Sequence, residues 1–336
     1  MAQHEIAPPT ILVADDEENI RDLLMLLLRR EGYRVVTARD GLEAQRILST
    51  DHIDLALLDV QMPGRSGFAL CNALKAQAET RFLPVVLITG LGSDEDRIRG
   101  IEIGADDFLS KPVRKEELLA RVRSLLRVKR YTDDLENAEA VLCSLARSIE
   151  AKDPYTEGHC DRLAQHSFAL GKRLGLAAEL CVALRRAGVV HDIGKVAVPE
   201  HILLKPGPLD EEERRIIEIH PVIGERICAP LKSFRHVLPI IRHHHEHMDG
   251  SGYPDHLQGG EIPLTARVLQ TVDVYDALTT ARPYRRALGS DEALRIIEAE
   301  TQRGWWDAEV VEEFFDLIRS GNPPARLQDS GQLLAS

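Results

Sequence analysis

The sequence has no CxxC pair, no long apolar run and no excess of positive charge. Its five cysteines, Cys71, Cys143, Cys160, Cys181 and Cys228, are odd in number and scattered. That excludes a zinc ribbon and argues against a disulfide framework, so buried thiols in a reducing cytoplasm are expected. The longest apolar runs, such as Leu23–Leu28, are far too short to cross a bilayer. The first residues, MAQHEIAPPT, lack a basic region followed by an apolar stretch, so no secretory signal is expected. A formal net charge of −12 argues against nonspecific binding to nucleic acid or to an anionic membrane. An anionic small substrate would need a local basic pocket. No solenoid-type repeat is visible.

What is present is enough for two domains. The chain has 336 residues, 44% hydrophobic and 29% charged, an ordinary globular balance. Its first part alternates strand-like and helix-like segments. TILVA (10–14), YRVVTA (33–38), IDLALLDV (53–60), LPVVLITG (83–90) and ADDFLSKP (105–112) read as five strands, with helical patterns between them. The pattern predicts a doubly wound α/β fold with a five-stranded parallel sheet. Working residues in such a sheet sit at the C-terminal strand ends. Here those ends carry Asp15, Asp16, Asp59, Thr89 and Lys111. Converging carboxylates repel unless a cation sits among them, and hard oxygen ligands suit Mg²⁺. A hydroxyl and an ammonium nearby suit a phosphoryl group.

The stretches LVADDEENIRDLL, LLDVQMPGRSG, LITG and GADDFLSKP resemble the receiver (CheY-like) domain of two-component response regulators over residues 8–127. The resemblance implies that Asp59 is the phosphoacceptor. It implies that Asp15, Asp16, Asp59 and the Gln61 carbonyl bind Mg²⁺, with Thr89 and Lys111 on the phosphoryl group and Phe108 as an aromatic switch. A sensor histidine kinase is the implied partner.

Beyond residue 115 the pattern stays helical. Tyr131, Leu135, Ala138, Leu142, Leu145 and Ile149 alternate spacings of four and three, a heptad seam. The seam predicts a coiled-coil-like linker, 128–150, that pairs with a second copy in a homodimer. An all-α domain is expected over 151–320 and a disordered tail over 321–336. The second domain is large and acidic and lacks a basic recognition helix, so DNA binding is not expected.

The helical half holds an ordered set of donors: His159, the pair His191–Asp192, His220, the pair His244–His245, and Asp273. Each histidine alone is an ordinary structural residue. Together, imidazoles with shared carboxylates suit borderline divalent metals such as iron, manganese, nickel or zinc. The motifs HDIGK, HHEHMDGSGYP, LLKPGPLDEEE and GEIPLTARVLQTVDVYDALTTARPYR then resemble the HD-GYP subgroup of HD-superfamily metal-dependent phosphohydrolases. The resemblance implies hydrolysis of cyclic di-GMP to pGpG, with GMP as a further product to be tested. It implies two transition metals, iron foremost, with manganese or nickel as alternatives. One is held by His159, His191, Asp192 and Asp273, the other by Asp192, His220, His244 and His245. Asp192 bridges them and acts with Lys195 in catalysis, while Lys195, Tyr253, Arg282 and Arg285 contact substrate. A third metal would need a Glu at the position of Tyr155, so a binuclear site is expected, and Glu157 is given little weight. Two other functions stay open: a low-turnover adaptor acting through protein contacts, and a hydrolase of another cyclic or linear nucleotide.

Overall fold

The computed structural model describes residues 7–77, 79–90, 94–151, 158–281 and 286–320, with the backbone alone at 94–97. Two compact units form, the first ending at Asn137 and the second beginning at Ala138.

In the first unit β1 (Thr10–Ala14), β2 (Arg34–Ala38), β3 (Leu55–Asp59), β4 (Val85–Thr89) and β5 (Asp107–Ser110) form one parallel sheet in the order β2-β1-β3-β4-β5. The helices between them are α1 (Glu18–Arg30), α2 (Gly41–Thr50), α3 (Gly67–Ala76) and α4 (Asp94–Glu102). The expected doubly wound parallel sheet is therefore present. Every residue of β1, β3 and β4 is buried, which is why these strands read as unbroken apolar runs. Their side chains alternate between faces. Ile11 and Val13 join Leu24, Leu28, Leu118 and Val122 on one side, while Leu12 and Ala14 join Phe68, Leu70 and Leu74 on the other. Caps set the helix starts: Asp40 accepts from the Leu42 and Glu43 amides, and Ser66 from the Ala69 amide. The chain winds outward in both directions from β1 and β3, and the carboxylates stand at that switch point.

A single helix, α5, runs from Lys115 to Glu150. Its seam residues do not share one environment. Leu142 and Ile149 pack against the core of the second unit, beside the buried Glu139, Cys143 and Ala146. Tyr131, Leu135 and Leu145 are exposed. A helix places successive residues about 100° apart, so residues three and four apart can lie on either side of a contact line. Glu139 is buried because Arg186 meets it at 2.9 Å.

The second unit continues with α6 (His159–Arg173), α7 (Ala178–Val190), a 3-10 turn (Ile193–Ala197), α8 (Glu200–Leu203), α9 (Glu211–Glu218), α10 (His220–Cys228), α11 (Leu238–His243), α12 (Leu264–Thr279), α13 (Ser290–Gln302) and α14 (Ala308–Arg319). Among the described residues it is helical, around a core that includes Phe234, Phe314, Leu184 and Leu269. Asp210 starts α9 with a capping box, as the acidic run from Leu209 onward suggests. All five cysteines are buried and free. Among the described residues, no helix is long and apolar enough to cross a membrane. The residues 321–336, read from sequence as a disordered tail, lie outside the described residues.

Candidate metal centres

At the sheet edge, one oxygen each from Asp15, Asp16 and Asp59 lie within 4.8 Å of one another. Lys111 follows β5 and reaches across, its Nζ 3.0 Å from Asp15 Oδ2 and 3.2 Å from Asp59 Oδ2. Burial and the neighbouring Asp15 push the Asp59 carboxyl above its usual range, and Lys111 pulls against them. Burial disfavours the Lys111 charge, yet Asp15 and Asp59 more than restore it. Thr89 ends β4 and is buried, while Gln61 is exposed two residues beyond Asp59. Phe108 is partly buried; a Cβ on Gly100 of α4 would come within 2.1 Å of its ring, so glycine there makes room for it. The arrangement suits a small hard cation beside one carboxylate that stays free to react.

In the second unit the donors form two sets. Asp192, His220, His244 and His245 bring one ligand atom each within 4.8 Å of one another, and so do His159, His191 and Asp273. Asp192 stands between them. Its Oδ2 is 3.3 Å from His191 Nε2, and its Oδ1 is 3.1 Å from His220 Nε2 and 3.9 Å from His244 Nε2. Lys195 Nζ lies 2.6 Å from Asp192 Oδ2. Local structure explains the placement. His191 and Asp192 fall where α7 gives way to the 3-10 turn, and that turn packs directly on α10. A Cβ on Gly194 would lie 1.9 Å from the His220 carbonyl oxygen, so only glycine allows the approach that sets Asp192 beside His220.

The ring nitrogens are sorted by their outer partners. His220 Nδ1 donates to the Ile217 carbonyl (2.8 Å), His244 Nδ1 to Ile241 (2.7 Å) and His191 Nδ1 to Gly188 (3.3 Å). A carbonyl can only accept, so Nδ1 carries the hydrogen and Nε2 presents a lone pair inward. His220 Nε2 and His244 Nε2 then face each other at 3.4 Å, acceptor against acceptor. His191 Nε2 and Asp192 Oδ1 are buried without a hydrogen-bond donor. Orphaned acceptors at such distances fit divalent cations between them. Burial and the other imidazoles hold His244 and His245 well below the usual histidine range, so both rings are neutral donors. Burial alone would raise Asp192; the neighbouring Lys195 charge, foremost among the opposing causes, holds the carboxyl well below its usual range.

The sequence reading missed a supporting set of residues. Asp276, one turn after Asp273, is buried; its Oδ2 meets His159 Nδ1 at 2.7 Å and its Oδ1 meets Arg162 Nε at 2.5 Å. Burial pushes Asp276 up, yet His159 and Arg162 pull it down to about 2, so it is a fixed anion orienting His159. The i, i+3 spacing from Asp273 was its only signal. Asp276→Asn is expected to weaken metal binding at the His159 set by about 10–100-fold. Competitive chelator titration checks it, and unchanged affinity would remove the role. Glu246 is fully buried and accepts from the amides of Asp255 (2.7 Å) and Leu257 (3.1 Å), holding the Gly-rich loop. In that loop Tyr253 stacks on His245 at 4.8 Å, and Asp249 accepts from the Ser251 amide, capping the turn. A cleft of about 340 Å³ borders the donors and also touches Lys195, His247, Gln270 and Trp306. Arg282, Arg285, Tyr155 and Glu157 lie outside the described residues.

Comparison with known proteins agrees with this division. The response regulator receiver domain matches residues 11–123 and the HD domain residues 144–310. A relative from Xanthomonas campestris pv. campestris, the cyclic di-GMP phosphodiesterase response regulator RpfG, is 34% identical over 87% of this chain and 84% of its own length. The cyclic di-GMP phosphodiesterase of Thermotoga maritima is 31% identical over 92% of this chain and 90% of its own. The 3'3'-cGAMP-specific phosphodiesterase 3 of Vibrio cholerae is 40% identical over 48% of this chain and 35% of its own. With a receiver sheet, an HD domain and relatives matched along nearly their whole length, the chain belongs to the response-regulator family that joins a receiver domain to an HD-GYP domain.

Proposed function

We propose that this chain is a cytoplasmic response regulator in which phosphorylation of Asp59 controls a binuclear-metal phosphodiesterase that hydrolyses cyclic di-GMP to pGpG. The observation that carries the reading is Asp192, whose two oxygens turn to two different donor sets that are short of hydrogens. Two relatives matched over most of their length, from Xanthomonas campestris and Thermotoga maritima, are named for cyclic di-GMP.

Divalent metals, when bound by these donors, would supply Lewis acidity and an activated water. The residues of the chain do the rest. His159, His191 and Asp273 form one half of the site, and His220, His244 and His245 the other, with Asp192 common to both. Lys195 is a mobile point charge beside Asp192, placed to meet a phosphate oxygen. Tyr253, seated on His245, shapes the substrate side, and Arg282 and Arg285 complete the phosphate grip. In the receiver, Asp15, Asp16 and the Gln61 carbonyl would hold Mg²⁺, and Thr89 and Lys111 would receive the oxygens of a phosphoryl group delivered to Asp59 by a histidine kinase. Residues 8–127 take the signal, 128–150 carry it and 151–320 perform the chemistry. The exposed Tyr131, Leu135 and Leu145 pair with a second copy.

The test is anaerobic purification, a metal count by mass spectrometry, and incubation with cyclic di-GMP while pGpG and GMP are followed. Two metals per chain with pGpG formation supports the reading; metal without any dinucleotide cleavage overturns it. Acetyl phosphate should change the rate in wild type and leave Asp59→Ala unaffected, and equal responses would remove the control by Asp59. A second reading, a hydrolase of a mixed cyclic dinucleotide, is favoured by 40% identity over 48% of this chain to a 3'3'-cGAMP-specific enzyme.

A further inference from the structure

Gln270 has no explained role in the site described so far. It is 2% exposed, and neither Oε1 nor Nε2 of its amide has a hydrogen-bond partner. Leaving both a donor and an acceptor unmet is unfavourable, so a partner is missing. Gln270 sits one turn before Asp273 on α12, and the two border the same cleft. Its amide atoms are buried in the structure, so meeting a partner in the cleft requires the side chain to turn about its own rotors.

The opposite resource lies in the same wall. Trp306 borders the cleft and is partly buried. Its indole N–H is already committed to Glu300 at 2.9 Å, which leaves the ring as its remaining contact surface. His247, which also borders the cleft, stands edge-on to Trp306 at 5.1 Å and stacks on Trp305 at 5.1 Å, so the indole is braced by its neighbours. His247 is in turn bound to Ser251 of the Gly-rich loop at 2.9 Å. An indole face and an unspent amide beside a phosphodiester site are the two things a nucleobase needs: a surface to stack on and an edge to pair with.

We infer that Gln270 is the base-reading residue of this site, and that it admits adenine as well as guanine. The inference rests on the phosphodiesterase reading and deepens it. A side-chain amide offers a donor and an acceptor side by side. In one orientation it donates to guanine O6 and accepts from guanine N1–H. Turned over, it accepts from adenine N6–H and donates to a ring nitrogen. A cyclic dinucleotide with one adenine and one guanine is therefore a substrate alongside the bis-guanine compound.

The test uses the metal-loaded full chain, with metal content measured alongside. Wild type, Gln270→Leu and Gln270→Glu are compared on cyclic di-GMP, on the mixed adenine–guanine dinucleotide, and on bis(p-nitrophenyl) phosphate, which has no base. Wild type should cleave both dinucleotides. In Gln270→Leu the ratio of kcat/KM on either dinucleotide to that on the base-free ester should fall roughly ten- to a hundredfold. Gln270→Glu, which only accepts, can still take guanine N1–H and N2–H, so it should lose less than Gln270→Leu on the bis-guanine compound. Calorimetric binding of both dinucleotides to wild type and Gln270→Leu supplies a readout independent of turnover. Equal losses on all three substrates, or unaltered dinucleotide binding by Gln270→Leu, would overturn the role of Gln270 and leave the phosphodiesterase reading standing. A wild type that cleaves the base-free ester but neither binds nor cleaves a dinucleotide would overturn that reading, and this inference with it.

Discussion

Asp192→Asn is expected to strip the metals and to lower dinucleotide hydrolysis by on the order of 10²–10³-fold or more. Asparagine keeps the volume of the side chain but not its symmetry. Asp192 turns one oxygen to His191 and the other to His220 and His244. An amide has one oxygen, so whichever set receives the NH₂ group meets a donor where a cation would need an acceptor. The lost negative charge weakens both positions at once. Lys195 loses one partner too, but its side chain is 30% exposed and can turn to water. The fold should therefore survive, which circular dichroism would verify. Metals per chain and turnover are the measurements. Two tightly held metals with undiminished hydrolysis would defeat the bridging role.

The second large effect comes from a residue with no chemistry of its own. Gly194→Ala places a methyl group 1.9 Å from the His220 carbonyl oxygen and 2.6 Å from the Gly224 amide nitrogen. All of these are backbone atoms, so no side chain can move aside. The 3-10 turn must shift away from α10, at a cost of about 3 kcal/mol from overpacking. The shift moves Asp192 relative to His220, which now stand 3.1 Å apart. Melting of the second unit should drop, and metal content with it, while the receiver transition stays in place. Calorimetry of the full chain would show this. An unchanged profile with full metal content would mean that the turn and α10 are not so close.

The sheet and the clustering of the candidate metal donors were legible because their signals are collective. β1, β3 and β4 are apolar along their whole length, and seven donors stand in a fixed order along the helical half. Asp276, Glu246 and Gln270 were not legible because each is one polar residue with an ordinary exposed counterpart in any helix or turn. What distinguishes them is burial, which depends on packing from distant segments: Asp276 lies against α6, and Glu246 beneath the loop that ends at Leu257. The heptad seam of α5 was visible as a stripe. Whether a stripe residue meets its own chain is not a property of spacing, as the packed Leu142 and the exposed Leu145 show.

The five buried cysteines give the molecule its own clock for opening. The thiolate is the form that attacks a disulfide reagent, and burial suppresses it here: the Cys71 thiol is pushed up to about 11 and Cys228 to about 12, with Cys160 higher still. A thiol in the folded chain is thus doubly silent, shielded and protonated. It reacts when the segment around it comes apart, so its labelling rate counts openings. Cys71 reports on α3 in the first unit, and Cys143, Cys160, Cys181 and Cys228 report on the second. The two units can therefore be timed separately in one intact chain, with and without metal or phosphate, by weighing which peptides have gained a label.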